Sequence, residues 1–356
     1  MKRHAKKTHR RALERLASIW FVAAAELGGC SSGSNEQPER VTHPVKVLII
    51  SMFAPEGQVW IDGLGLTEEI AVPGLSSDYP VVRCNTDDVC NVITGMGHAN
   101  AAASLTALVY SRALDLSQAY FLIAGIAGID PAQGTLGSAA WARYAVSYGI
   151  AWELDAREMP AGWKYGYFGI NTRGPDEKPP LDYRTEIFRL DEALLQKVLA
   201  LTSSAALGDS DEARAFRANF PSPPANQPPA VIQCDTVSSD TWFAGNALGE
   251  RARDWVTLMT DGAGTYCTTQ QEDNASIEVL VRATAAGRLD SRRLAILRSG
   301  ADFDRPYPGQ SVAQALVDYA EQGGFVPAIN NLYLAGSPWI ADVVARWGLW
   351  RAGVPD

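Results

Sequence analysis

The chain predicts a single α/β domain with a central twisted mixed sheet flanked by helices. Three observations lead there. Short β-branched apolar runs alternate with helical periods from residue 45 to about Gly149, the rhythm of a mostly parallel sheet covered by helices. That rhythm returns at Ala230 after an irregular stretch. Carboxylates also recur beside apolar segments, from Glu56 to Asp302, where the carboxyl edge of an open sheet would gather them. At 356 residues, 47% hydrophobic and 20% charged, one large domain can bury a sizeable core.

Residues 1–30 differ from the rest. Lys2, Arg3, Lys6, Lys7, Arg10, Arg11 and Arg15 precede the apolar run Leu16 to Ala25, and Leu27-Gly28-Gly29-Cys30 follows. This resembles a bacterial lipoprotein signal with Cys30 as the lipidated residue, so the expected location is periplasmic or membrane-anchored. An ordinary secretory signal and a later start of translation are the alternatives, and Glu26 is a departure from the pattern. Residues 31–44, opening Ser-Ser-Gly-Ser-Asn, read as a flexible tether. The apolar run is too short to span a bilayer, and no later segment approaches ~20 unbroken apolar residues.

The domain then runs from 45 to 356. Val45 to Ile50 reads as a buried strand, with Met52 to Gly57 as the turn leaving it. Between Val81-Val82 and Val92-Ile93 a turn-rich loop is bracketed by Cys84 and Cys90, so a hairpin disulfide is expected in an oxidising compartment. Cys234 and Cys267 are left open. Phe121 to Ile129 suits a buried strand. Residues 159–230 carry scattered Pro and Gly around one helix, Glu192 to Leu201, and read as an insertion or lid on the rim. Beyond it come a strand to Gln233, a helix near Gly245 to Asp254, a helix from Ile277 to Ala285 and a strand from Leu294. Final helices are expected at about Ser311 to Gln322 and Ser337 to Arg346.

Composition excludes several function classes. A formal net charge of −9 without a basic stripe argues against nucleic acid. With four histidines, two of them in the signal, a His-based metal site is nearly excluded, and no cysteine spacing suits zinc. There is no Gly-x-Ser-x-Gly elbow and no P-loop; Gly95-Met96-Gly97 lacks the third glycine of a dinucleotide fingerprint. His98 is expected to open a helix. Carboxylates must therefore carry any chemistry.

Lys46 to Trp60 resembles the first strand and turn of the nucleoside phosphorylase and nucleosidase superfamily, and Val92 to Leu108 its second strand and Ala-rich helix. Phe121 to Ala142 resembles its glycine-rich strand-turn. Gln270 to Ser276 falls on its Met-Glu-x-x-Ala, and Leu294 to Asp304 on its Arg-x-x-Ser-Asp. Ser238 to Gly245 and Tyr148 to Glu158 resemble the branch named purine nucleoside permeases. The resemblance implies a phosphorylase-like fold and a purine nucleoside as ligand. It assigns Glu56 to orienting the attacking water, Glu272 to gripping the ribose hydroxyls and Asp302 to protonating the base. Trp242 and Phe243 fall where the superfamily stacks the purine. Gly125, Ala127, Gly128 and Gly95 fall in the remaining pocket, the first three offering backbone approach at a strand end. Homo-oligomers are common among such proteins, though no interface is legible here. Ala124 replaces a Thr, and Gly300-Ala301 replace a bulkier residue and a Ser. No cofactor is expected, with phosphate as the one open co-substrate. Glu56 argues for water, because a carboxylate repels a phosphate dianion. A non-catalytic nucleoside-binding component of uptake is the other class.

Overall fold

The structure is a computed structural model and describes residues 42–356. The export signal, Cys30 and the tether as far as residue 41 lie outside the described residues. The expected tether ends early: His43–Pro44 already pairs in parallel with Leu114–Asp115.

Twelve strands form the central sheet: β1 (Val47–Ser51), β2 (Glu68–Ala71), β3 (Val81–Cys84), β4 (Val89–Ile93), β5 (Tyr120–Ile129), β6 (Ala139–Trp141), β7 (Tyr144–Ser147), β8 (Ile187–Arg189), β9 (Val231–Gln233), β10 (Asp235–Ser238), β11 (Tyr266–Gln270) and β12 (Leu294–Phe303). The main path runs β8-β7-β10-β11-β5-β1-β4-β3-β2, with β12 joined to β5 and β6, and β9 to β6. Strands β1, β4, β5 and β12 are mutually parallel where they pair, while β11 lies antiparallel to β5. The sheet is thus mixed, as expected.

The period of two shows directly. Leu48 and Ile50 of β1, with Phe121 and Ile123 of β5, enter one apolar cluster; Val47, Ile49, Tyr120 and Leu122 enter another on the opposite face. Strands covered on both sides read as unbroken apolar runs, which is why β1 and β5 are legible in sequence. The first cluster is closed by α2 (His98–Tyr110) and α6 (Asp273–Ala285), through Leu105 and Leu280. The second is closed by α1 (Ala54–Leu64), α3 (Glu192–Thr202) and α8 (Phe325–Ala345), through Trp60, Leu194 and Trp339.

Helix α8 starts twelve residues before the expected Ser337. Gly336 and Pro338 broke the apparent period. In the fold, Gly336 faces Trp60, whose ring would stand 2.5 Å from an added Cβ, so the glycine sets the approach of α8 to α1. The remaining helices are α4 (Asp211–Arg217), α5 (Asn246–Met259), α7 (Val312–Val317) and α9 (Trp347–Trp350), with a 3₁₀ turn at Tyr319–Gln322. Both cysteine pairs are bridged, Cys84 to Cys90 and Cys234 to Cys267.

The stretch 159–230 is not simply a rim. Strand β8 extends the central sheet along β7, and Leu194, Leu195 and Val198 of α3 are buried in the second cluster. The helix was expected here, but the Pro and Gly around it gave no sign of β8 or of the helix's place in the core. Leu194→Ala should therefore lower the unfolding free energy by about 2–5 kcal/mol in urea titration, as for a core leucine. A loss of a few tenths would return the segment to the surface.

Candidate active site

The site begins with a gap in hydrogen bonding. One edge of β5 is covered throughout by β12. Its other edge is shared: β1 pairs with Tyr120 to Ile123, and β11 with Gly128 and Ile129. Tyr120 N–H donates to Lys46 O on this second edge, and the period of two puts the Ile126 peptide on the same side. Between the two partners Ile126 has no strand to bond. Two side chains replace it. Ile126 N–H donates to Glu56 Oε1 at 2.7 Å, and Arg298 Nη1 donates to Ile126 O at 3.2 Å.

Glu56 sits in the first turn of α1 and also accepts from Met52 N–H at 2.8 Å. Burial pushes its carboxyl up to about 8, against Arg298 and the two N–H donors, which favour the ionised form. Gly125 makes this arrangement possible. A Cβ there would stand 2.0 Å from Met52 Cε, 2.5 Å from Arg298 Nη1 and 2.6 Å from Glu56 Oε1. The expected role, backbone approach to ligand, is corrected: protein side chains fill that space.

Glu272 is the residue before α6 and is buried. Its Oε1 accepts from Gly97 N–H at 2.9 Å, and its Oε2 lies 3.4 Å from Arg298 Nη2. Gly97, at φ +87, opens α2 in a conformation that disfavours side chains. Burial raises the Glu272 carboxyl, with Arg298 acting against it. Arg298 itself is 1% exposed, and the sequence shows it only as one member of the Arg298 to Asp302 motif. Basic residues within strands are rare, and that was the available signal.

Asp302 comes from the far end of β12. A bulge at Ala301 shifts the register, with Gly300 opposite Ala127 and Asp302 opposite Gly128. A regular strand would send Ala301 and Asp302 to opposite faces; the bulge lets both line one cavity. Asp302 is 1% exposed, and its Oδ1 has no hydrogen-bond partner among the described residues. Burial, then the nearby Asp304, push its carboxyl up to about 8.

Glu56, Glu272, Asp302 and Arg298 line one cavity of about 370 Å³, a small-molecule size. Its apolar wall includes Met52, Phe53, Ala127, Trp242, Tyr319 and Phe325. Trp242 packs on Tyr319 at 5.5 Å and is 41% exposed. Phe243 is a correction. It does not line this cavity; it is buried against Tyr148 at 5.3 Å, in a separate apolar cluster. The two sit in the irregular segment before α5, and the chain turns Trp242 toward the cavity and Phe243 into the cluster. Gly128 packs close to Thr269 and Asp302, while Gly95 stands beside Asn100 at φ +84, outside the cavity lining.

His98 opens α2 as expected, and the fold places it 3.2 Å from Ser238 Oγ and 3.7 Å from Asp240. This is not a nucleophile triad. The Ser238 hydroxyl is fully buried and hydrogen-bonded to Asn274 Oδ1 at 2.9 Å.

The chain belongs to the purine nucleoside permease family, whose model matches residues 44–355. A purine nucleoside permease of Candida albicans is 36% identical over 322 residues, covering 89% of this chain and 79% of that protein. A probable purine nucleoside permease of Schizosaccharomyces pombe is 36% identical over 318 residues, covering 86% and 90%. These relatives are fungal and a lipobox is a bacterial signal, so they lend the Cys30 assignment no support. Among solved structures, a 5′-methylthioadenosine/S-adenosylhomocysteine nucleosidase from Neisseria meningitidis covers 82% of this chain and 99% of its own, at 14% identity and TM-score 0.47. The futalosine hydrolase of Helicobacter pylori covers 84% and 98%, at 13% and 0.46. At these scores neither likeness carries part of the functional argument.

The raised Asp302 carboxyl makes a prediction about stability. From its ordinary 3.8 to about 8, the unfolded chain has lost this proton while the folded chain keeps it. The unfolded state thus binds fewer protons, so stability falls as pH rises through that window and levels off above it. Asp302→Asn removes the penalty. It should be more stable than the parent by on the order of a few kcal/mol at about pH 8, and by little at about pH 4. Urea unfolding at the two pH values measures the difference; equal gains at both would mean Asp302 is not held protonated.

Proposed function

We propose that this chain binds purine nucleosides and cleaves their N-glycosidic bond with water. The observation that supports this most is Asp302: a buried carboxyl that keeps its proton, with a free oxygen, in the same cavity as Glu56 and Glu272. Cleavage passes through a ribosyl cation, which needs an acid for the leaving base, a grip on the sugar and an oriented nucleophile.

In this reading the C1′–N9 electron pair leaves with the base while Asp302 transfers its proton to N7. Water oxygen bonds to C1′, and its proton passes to Glu56. Solvent then returns that proton to Asp302, closing the cycle. Glu272 accepts from the ribose hydroxyls; of its roughly four acceptor positions, the Gly97 and Gln271 N–H groups and Arg298 already use three. Trp242 and Tyr319 supply an aromatic wall for the base.

The relatives' name, permease, points to a second reading, a receptor that binds nucleosides for uptake without cleaving them. Among the described residues no helix is long and apolar enough to cross a membrane. Incubating the protein with inosine or adenosine, with and without phosphate, separates the readings. Free base without phosphate supports hydrolysis, base only with phosphate means phosphorolysis, and saturable binding without base means a receptor.

Two variants divide the labour. Glu272→Ala should weaken nucleoside binding at least about tenfold, since charge-assisted hydrogen bonds to the sugar are lost. Asp302→Asn should keep affinity while cleavage falls about 10²–10⁴-fold. Calorimetry and a base-release assay read the two effects; either variant behaving like the parent removes that assignment.

Glu56 must be ionised and Asp302 protonated, yet both carboxyls titrate at about 8. The profile of kcat/KM against pH should therefore be a bell with its maximum near about 8, falling below as Glu56 gains a proton and above as Asp302 loses one. A rate flat from about pH 6 to about pH 10 would contradict these roles.

A further inference from the structure

Among the described residues, Arg298 is the only cationic side chain lining the cavity. All three of its nitrogens are engaged. Nη2 donates to Asp273 Oδ1 at 2.5 Å and to Gln270 Oε1 at 3.1 Å, and lies 3.4 Å from Glu272 Oε2. Nε is 3.4 Å from Asp273 Oδ2, and Nη1 holds Ile126 O. The shortest contact and both sides of the fork go to Asp273, which is fully buried and does not line the cavity. Asp273 is held in turn: its Oδ2 accepts from Gln270 Nε2 at 2.5 Å, and Gln270 Oε1 accepts from the Glu272 and Asp273 N–H groups.

We propose that Asp273 decides which nucleophile this cavity admits. As a positioning residue it holds the Arg298 fork and cancels its charge, so that the corner beside Glu56 accepts neutral water and rejects inorganic phosphate. The inference rests on the nucleoside-cleaving function proposed above. Glu56 faces this corner from α1, Glu272 from the residue before α6 and Asp302 from the end of β12, while Asp273 stands behind Arg298; His98, at the start of α2, is the next titratable group. Phosphate binding sites pair the anion with uncommitted Arg or Lys donors. Here the one guanidinium has none to spare, and the carboxyl groups of Glu56 and Glu272 line the same cavity. Asp273 matters beyond packing because Glu272 already stands within reach of Arg298. A single acid would suffice to pair the buried cation, so the second carboxyl is not needed for packing and leaves the guanidinium no free donor edge.

The test is a calorimetric titration of inorganic phosphate into the full chain, against chloride at matched ionic strength, with no nucleoside present. The parent should show no saturable phosphate binding in the millimolar range. Asp273→Asn keeps the shape and a hydrogen bond to Arg298 but frees its charge, and should gain phosphate affinity by about tenfold or more. Asp273→Glu should behave like the parent, and circular dichroism shows that each variant is folded. A purely structural role would produce loss of folding without any gain of phosphate. Saturable phosphate binding by the parent overturns the inference, as does a folded Asp273→Asn with unchanged phosphate affinity. If Asp273→Asn does not fold, Asp273→Ser takes its place, and the parent titration stands on its own. Inosine titrated in parallel judges the nucleoside assignment separately, since the phosphate result does not depend on it.

Discussion

The site depends on one peptide. At Ile126 the sheet's hydrogen-bonding edge passes from β1 to β11, and for the length of that transfer no strand reaches it. A buried N–H and C=O left alone would cost as much as lost hydrogen bonds, so other groups must be brought in. Glu56 and Arg298 fill the gap. The same geometry that satisfies the backbone therefore plants a carboxylate and a guanidinium at the mouth of the sheet. Gly125 follows from it, because any side chain there would occupy the space these two groups use.

Charge balance separates this cavity from the acidic cluster beside it. Asp130 is bidentate to Arg253 at 2.6 Å, and Asp304 is bidentate to Arg305 at 2.7 and 2.9 Å. Tyr266 also donates to Asp304 at 2.8 Å. Two acids meet two guanidiniums there, and the cluster pins the end of β12 against α5. At the cavity, Glu56 and Glu272, with the buried Asp273 behind them, share Arg298 alone, and Asp302 has no cation beside it. Uncompensated buried carboxyls destabilise the folded state and hold protons that solvated ones would release. That combination is a common mark of sites organised for ligand or proton transfer rather than for stability. Here the fold tolerates it because two large apolar clusters brace the sheet on both faces.

Much was legible in the sequence because it was periodic or chemically exclusive. Strands β1 and β5 are apolar on both faces and announce themselves as runs. The scarcity of histidine left carboxylates as the only candidates, and Glu56, Glu272 and Asp302, separated by up to 246 positions in the chain, do line one cavity. What stayed hidden depended on direction or register. Phe243 is buried in a separate apolar cluster while its neighbour Trp242 lines the cavity. Ala301 and Asp302 share a cavity only because a bulge interrupts the strand. Helix α3 was legible as a helix, but strand β8 and the burial of α3 were not, and the first half of α8 was masked by the Gly336 and Pro338 it contains.

The amino-acid sequence by itself determined the α/β class, the covered parallel strands and the set of groups able to do chemistry. These follow from local periodicity and residue type. Only the tertiary structure decided that one edge of Ile126 would lack a strand partner, that Arg298 would be held by Asp273, and that Asp302 would be left with an unpaired oxygen. Each of these is set by contacts between segments far apart in the chain, and hydrogen bonding and desolvation at such contacts depend on distances that no local pattern encodes.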